Sequence, residues 1–235
     1  DTFLTILSNP TSVSNNNTSA LMLYYTFFDT APAHTINPYT NNPYSSLREF
    51  IESISYSEYY TEITDLIKIC KSEIKFIEKD NEAFPCPLKV YGSYYMQQIL
   101  SAYGKSTFDK KYPLREGVFY EESTKTDLLF ITLNKNNNRF SPTTSYKDYA
   151  INSRLFHWES QNSTGINSPK GIRYTSKDVK ALLFVRKTST IENIAAPFTF
   201  IGNGKPTEAK GSKPIQIKWQ MSEDIPEKIL KYELI

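Results

Sequence analysis

Apolar residues fall at three- and four-residue intervals through the first third of the chain and at two-residue or unbroken spacing through the rest. An apolar run from Ala20 to Phe28 reads as a helix buried against a missing neighbour. Ser45 and Ser46 then precede Leu47, Phe50, Ile51 and Ile54, a capped amphipathic helix. A second stripe, Ile63, Leu66, Ile67, Cys70, Ile74 and Ile77, predicts another helix ending near residues 79–81. Phe84-Pro85-Cys86-Pro87 breaks any continuous helix and sets a boundary. Beyond it, Tyr94 to Tyr103 predicts a short helix stopped by Gly104. Strands dominate thereafter: Gly117 to Tyr120, Thr126 to Asn134, Arg154 to Trp158, Lys180 to Arg186, Phe198 to Ile201 and Pro214 to Gln220 are β-branched or aromatic runs bounded by turn residues. The expectation is an α+β protein, with an N-terminal helical module over residues 1–85 and a small β-barrel with flanking helices over residues 86–235.

Composition narrows the chemistry. Residues 1–85 carry 5 Lys and Arg against 11 Asp and Glu, a net −6, whereas residues 86–235 carry 22 against 14, a net +8. An acidic module joined to a basic one suits a protein that meets phosphates with one part and protein with the other. No run of eighteen apolar residues exists, so neither a membrane span nor a secretory leader is expected. The first residue is Asp rather than Met, which suggests a segment of a longer polypeptide. Two cysteines, Cys70 and Cys86, form neither a zinc pattern nor a disulfide framework, and a reducing, cytoplasmic setting fits them. Two histidines without HxxxH spacing argue against a metal centre, and no GxxxxGK[ST] phosphate loop occurs. A nuclease built on Asp127 lacks the later carboxylate-x-Lys, because Glu159 is followed by Ser160-Gln161. No catalytic residue, metal or cofactor is expected.

The richest segment runs from Leu133 to Gln161. A polar loop carries Phe140, Tyr146, Asp148 and Tyr149, and the next strand delivers Phe156, His157 and Trp158. Aromatic faces beside one carboxylate suit a nucleobase: rings stack on a base withdrawn from the duplex, and the carboxylate accepts the exocyclic amine of cytosine. Tyr146, Asp148, Tyr149 and Trp158 are therefore the candidate base-binding residues. Phe156 reads as core by strand alternation, and Trp158, on the same face, stands between core and pocket wall. Asp148 can equally serve as a loop cap, and His157 as part of a hydrogen-bond network or a phosphate contact. Lys135, Arg139, Lys147, Arg154, Lys170 and Arg173 are the candidate contacts to the DNA backbone, which position without specifying sequence.

From Arg115 to about Gln220 the phrases REGVFY, TDLLFITLNK, FSPTTSYKDYAI, LFHWESQN, LLFVRK and PFTFIG resemble a domain found at the carboxyl end of bacterial superfamily-2 helicases. Such helicases often carry a phospholipase-D-type nuclease at the other end, as in the SauUSI class of ATP-dependent type IV restriction enzymes, which cut DNA containing modified cytosine. The resemblance implies recognition of 5-methylcytosine or 5-hydroxymethylcytosine by base flipping. It further implies a helical module that couples recognition to the helicase and nuclease domains of the same parent polypeptide. A more distant likeness to SRA domains, which flip 5-methylcytosine, implies an SRA- or PUA-like barrel with Tyr146, Asp148 and Trp158 in the order of the SRA pocket residues. Here Tyr and Asp are two positions apart rather than three, and Trp stands where the second Tyr is found. Two other functions stay open: an RNA or modified-base reader of the PUA-like type, and a structural module joining helicase subunits.

Overall fold

A computed structural model describes residues 2–28, 44–73, 88–114, 116–134 and 148–230. The N-terminal part is helical: α1 (Thr2–Ser8), a 3-10 turn (Pro10–Ser12), α2 (Thr18–Phe28), α3 (Leu47–Ser55) and α4 (Tyr60–Glu73). The start of α3 is fixed by reciprocal capping. Glu49 N–H donates to the Ser46 hydroxyl at 3.1 Å, and the Glu49 carboxylate accepts from the backbone and hydroxyl of Ser45, satisfying donors that the first helical turn leaves open. The four apolar residues of the α3 stripe are all buried, beside Leu7, Tyr24, Tyr25 and Phe108. Ile63 and Ile67 of α4 pack partly on this core, while Leu66, Ile69 and Cys70 are exposed. Ile74, Ile77 and Cys86 lie outside the described residues.

The buried helix α2 finds its neighbour within the chain. It lies against α5 (Met96–Ala102), and Met22 joins the same cluster as Leu88, Ile99 and Leu100. Gln98 Nε2 donates to the Met22 carbonyl at 3.1 Å and to Thr26 Oγ1 at 2.8 Å, and the Tyr25 hydroxyl donates to the Thr107 carbonyl at 2.7 Å. These bonds give buried polar groups partners across the junction, without which each would cost about 1–3 kcal/mol. The seat expected outside the chain is α5.

The remaining elements build one sheet: β1 (Ser93–Tyr94), β2 (Val118–Glu121), β3 (Thr126–Thr132), β4 (Tyr149–Ala150), β5 (Leu155–Glu159), β6 (Lys180–Arg186), β9 (Phe198–Lys210) and β10 (Gln216–Met221). β7 (Thr190–Ile191) and β8 (Ile194–Ala195) form a separate hairpin, and α6 (Pro169–Thr175) and α7 (Glu227–Leu230) complete the description. Strand order is β2-β3-β6-β9-β10-β5-β4, with β1 paired to β9. Among the described pairings only β3 and β6 run parallel. Leu129, Ile131, Leu183 and Val185 face one core, and Leu128, Phe130, Leu182 and Phe184 face the other. Their unbroken apolar sequences follow from burial on both faces. Fully burying each such side chain stabilises by about 1.5–3 kcal/mol.

The other half of the sheet, β5 and β10, carries apolar core on one face. In β5 and β10 the residues Phe156, Trp158, Ile217, Trp219 and Met221 enter the first core, with their alternates turned away. Gly204 makes this packing possible, because a Cβ there would come within 3.0 Å of Leu183 and 3.2 Å of Trp219. The small closed barrel is not what the described pairings form. They make an open path with β2 and β4 at its ends, since the central strands carry core on both faces instead of curling one face around an interior.

Candidate recognition site on strands β4 and β5

Antiparallel register sets the site. Tyr149 of β4 lies opposite His157 of β5, and Ala150 opposite Phe156. Side chains alternate across a strand, so Tyr149 and His157 share one face while Ala150, Phe156 and Trp158 share the other. The first pair stacks, with ring centroids 4.7 Å apart and planes 17° from parallel. On the opposite face Trp158, 5% exposed, meets Tyr174 edge-on at 5.3 Å and lies 6.2 Å from Trp219. Tyr149 and Trp158 therefore do not flank one cavity. The sheet separates them, and Trp158 belongs to the core.

Asp148 immediately precedes β4. Its carboxylate Oδ1 accepts the Glu159 N–H at 2.9 Å, taking the donor that a further rung of the β4–β5 ladder would use, and the residue is only 8% exposed. This is the loop-cap role considered for the residue. Bonding to the backbone fixes the carboxylate at the end of the ladder, one residue before Tyr149 in the chain. Tyr146 lies outside the described residues.

The row continues across the sheet. His157 is opposite Lys218, and Lys218 is opposite Glu208 of β9. Glu208 is bracketed by Lys210 and Lys218, and hydrogen bonds from those two ammonium groups hold its carboxyl down at about 2. Gln216 Nε2 donates to Glu159 at 3.1 Å one row further on. The face beside the stack is therefore polar and mixed in charge.

The expected backbone contacts divide in two. Lys135, Arg139 and Lys147 lie outside the described residues. Arg154, Lys170 and Arg173 are each engaged with a carboxylate. Arg154 donates to Asp224 at 2.7 Å and to the Ser222 carbonyl, and Lys170 lies 2.6 Å from Glu116. Arg173 grips the fully buried Asp127 through two bonds of 2.8 Å and lies 3.9 Å over the Tyr120 ring. Burial, the largest influence on Asp127, raises its carboxyl above the ordinary value, and Arg173 only partly offsets it. Burial also works to lower Arg173, but Asp127 more than offsets it, and the guanidinium ends above its ordinary value. The two outcomes agree with their depths, since the Asp127 side chain is 1% exposed and that of Arg173 25%. This pair clamps α6 to β3.

One arginine that sequence reasoning passed over behaves differently. Arg186, at the end of β6, donates through Nε to Thr132 Oγ1 and through Nη1 to the Ala196 carbonyl, both at 3.0 Å, with its guanidinium 4.2 Å over the Phe198 ring. No carboxylate pairs with it among the described residues, and burial draws it down to about 10. Its sequence signal is a cation closing an unbroken apolar run, Ala181 to Val185. Among the described residues, no group of three His, Cys, Asp or Glu could hold a metal, and no helix is long and apolar enough to cross a membrane.

A mixed α/β protein with a clamped sheet and an aromatic, carboxylate-bearing edge is the class this geometry defines. Residues 88–233 match the family described as Domain of unknown function (DUF3427), and the chain belongs to that family. No curated protein matches. Among solved structures, the chain is similar to KRYPTONITE in complex with mCHH DNA, H3(1-15) peptide and SAH, at 13% identity and a TM-score of 0.40, over 91% of this chain and 44% of that one. It is also similar to Arabidopsis thaliana SUVH6 in complex with SAM, at 10% identity and a TM-score of 0.40, over 96% of this chain and 41% of that one. The chain thus spans less than half the length of either.

Proposed function

We propose that this chain recognises modified cytosine in DNA and that Asp148 reads the base. The observation supporting this reading is the Asp148 carboxylate, oriented by the Glu159 N–H at the end of the β4–β5 ladder, one residue before the Tyr149 that stacks on His157. A carboxylate offers about four acceptor sites, and the bond from the Glu159 N–H orients it without neutralising it. An oriented acceptor matches the exocyclic amine of cytosine and opposes the carbonyl that thymine presents there. Tyr149 supplies the aromatic face, with Tyr146 as the second wall, and Trp158 supports the strand from the core side. The surplus of cations in residues 86–235 draws the duplex in.

The chain acts by binding, without turnover of its own. In the larger reading it is the target-recognition part of a cytoplasmic, ATP-dependent type IV restriction enzyme. Helicase and nuclease domains of the parent polypeptide then act on the DNA it selects, and the helical half passes recognition on to them.

The test is fluorescence anisotropy on duplexes that differ only in one 5-methyl group, with wild type and Asp148→Asn. The Asn variant keeps an acceptor for the Glu159 N–H. A hydrogen bond to a charged group contributes about 1.5–3 kcal/mol, so the variant should lose about 10- to 150-fold in affinity for the methylated duplex and with it the methyl preference. Weak, salt-dependent binding should persist. An unchanged preference removes Asp148 from the site, and tighter binding to RNA of the same sequence favours the RNA reader instead.

A further inference from the structure

The three described cations that sequence would assign to phosphate each pair with a carboxylate, and this directs attention to an arginine of the sheet that does not. Arg154, Lys170 and Arg173 each face a carboxylate. Arg186 is half-buried, rests on Phe198, and is held by a hydroxyl and a backbone carbonyl. Both are neutral acceptors, so they orient the guanidinium and leave its charge uncompensated. A guanidinium carries five N–H donors in a rigid fork, and those not used by Thr132 and Ala196 have no acceptor among the described residues. A partly desolvated cation without a counter-ion is costly to keep. A rigid fork of this kind matches the geometry of a phosphate oxyanion.

We propose that Arg186 is a backbone-phosphate contact, gripping one phosphate of duplex DNA laid over the C-terminal ends of β3 and β6. This rests on the DNA-binding reading above, and it adds a contact that lies on a different part of the sheet from Asp148. A nucleic-acid phosphate fits better than an acidic peptide because residues 86–235 are net basic as a whole, a balance suited to a continuous polyanion. The contact positions the duplex and carries no base information. Strands β3 and β6 are the most deeply buried in the sheet, so the fork is mounted on its rigid centre.

The experiment measures Kd against potassium chloride concentration for methylated and unmethylated duplexes. Wild type is compared with Arg186→Met, which keeps the stem on Phe198, Arg186→Gln, which keeps a donor for Ala196, and Arg186→Lys, which keeps the charge. Each phosphate contact contributes about 0.9 to the slope of log K against log salt. Both neutral variants should lose about that much, so a fourfold rise in salt costs them about 3.5-fold less affinity than it costs wild type. The loss should be equal on the two duplexes, and the Lys variant should retain the wild-type slope. Thermal unfolding identifies whichever neutral variant is folded, and that variant decides. A wild-type slope in a folded neutral variant overturns the proposal, as does a loss confined to methylated DNA. If wild type still prefers methylated DNA in either case, base reading by Asp148 stands alone. A wild type that binds no duplex at low salt overturns both.

Discussion

Replacing Arg173 by Met should convert a satisfied buried charge into an orphan. The Asp127 carboxylate is fully buried and receives two bonds of 2.8 Å from this one guanidinium. Breaking a buried pair by removing one partner costs about 3–5 kcal/mol. For a chain of this size each kcal/mol moves Tm by about 2–4 °C, so Arg173→Met should melt about 6–20 °C below wild type at pH 7. The pH dependence separates this cause from simple loss of packing. Burial already raises Asp127 in the folded protein, and losing Arg173 lifts it further, while in the unfolded chain it returns to the ordinary value of 3.8. A carboxyl raised on folding contributes stability that is fully present below the unfolded value and lost as pH rises through the folded one. Acidification from pH 7 to pH 5 should therefore narrow the gap between variant and wild type. Adding Asp127→Leu should recover most of the loss, because a buried pair exchanged for apolar residues is often neutral. Calorimetry across that pH range is the assay. A gap under about 2 °C at pH 7, less than one kcal/mol on this scale, would refute the reasoning, as would one that ignores pH.

Two further outcomes follow from the same packing. Gly171→Ala places a methyl 2.7 Å from the Ile166 carbonyl oxygen and closer still to that of Gly165. Backbone cannot give way as a side chain tip can, so α6 should shift at a cost of about 1–3 kcal/mol, read as a lower Tm and altered Trp158 fluorescence; a wild-type melt would show that the loop yields freely. Glu208→Gln should release Lys210 and Lys218 from their shared carboxylate and tighten salt-dependent binding to unmodified duplex, measured by anisotropy. Equal affinity would mean that these lysines do not face DNA.

The elements legible in the sequence are those whose pattern has a local cause. The α3 stripe, its serine cap and the paired runs of β3 and β6 are each written in consecutive residues, and the structure has them. The course of the sheet was not legible, because a run such as Leu128 to Ile131 reports burial on both faces without saying whether helices or other strands provide it. The pocket residues show a related limit. Alternation put Phe156 and Trp158 on one face, and that face is core. Which face Tyr149 takes depends on its register with His157, a long-range fact. Charges were hardest to read. Arg173 looks like a surface cation until Asp127 appears beside it, although an aspartate within TDLLFIT already signals a buried charge that needs a partner. Arg186 shows the converse, since its lack of a carboxylate emerges only once its surroundings are assembled.

The seat of α2 also governs the order in which the protein can be made. Its Met22 carbonyl waits for a donor 76 positions downstream, and at a synthesis rate of about 5–20 residues per second that interval lasts about 4–15 s. Throughout it the side of the helix around Met22 has emerged from the ribosome without α5 to cover it, although α1 and α3 can already pack on Leu23, Tyr24 and Tyr25. The nascent N-terminal half is therefore a natural client for a chaperone, and slow translation between Phe28 and Gln98 would lengthen its exposure.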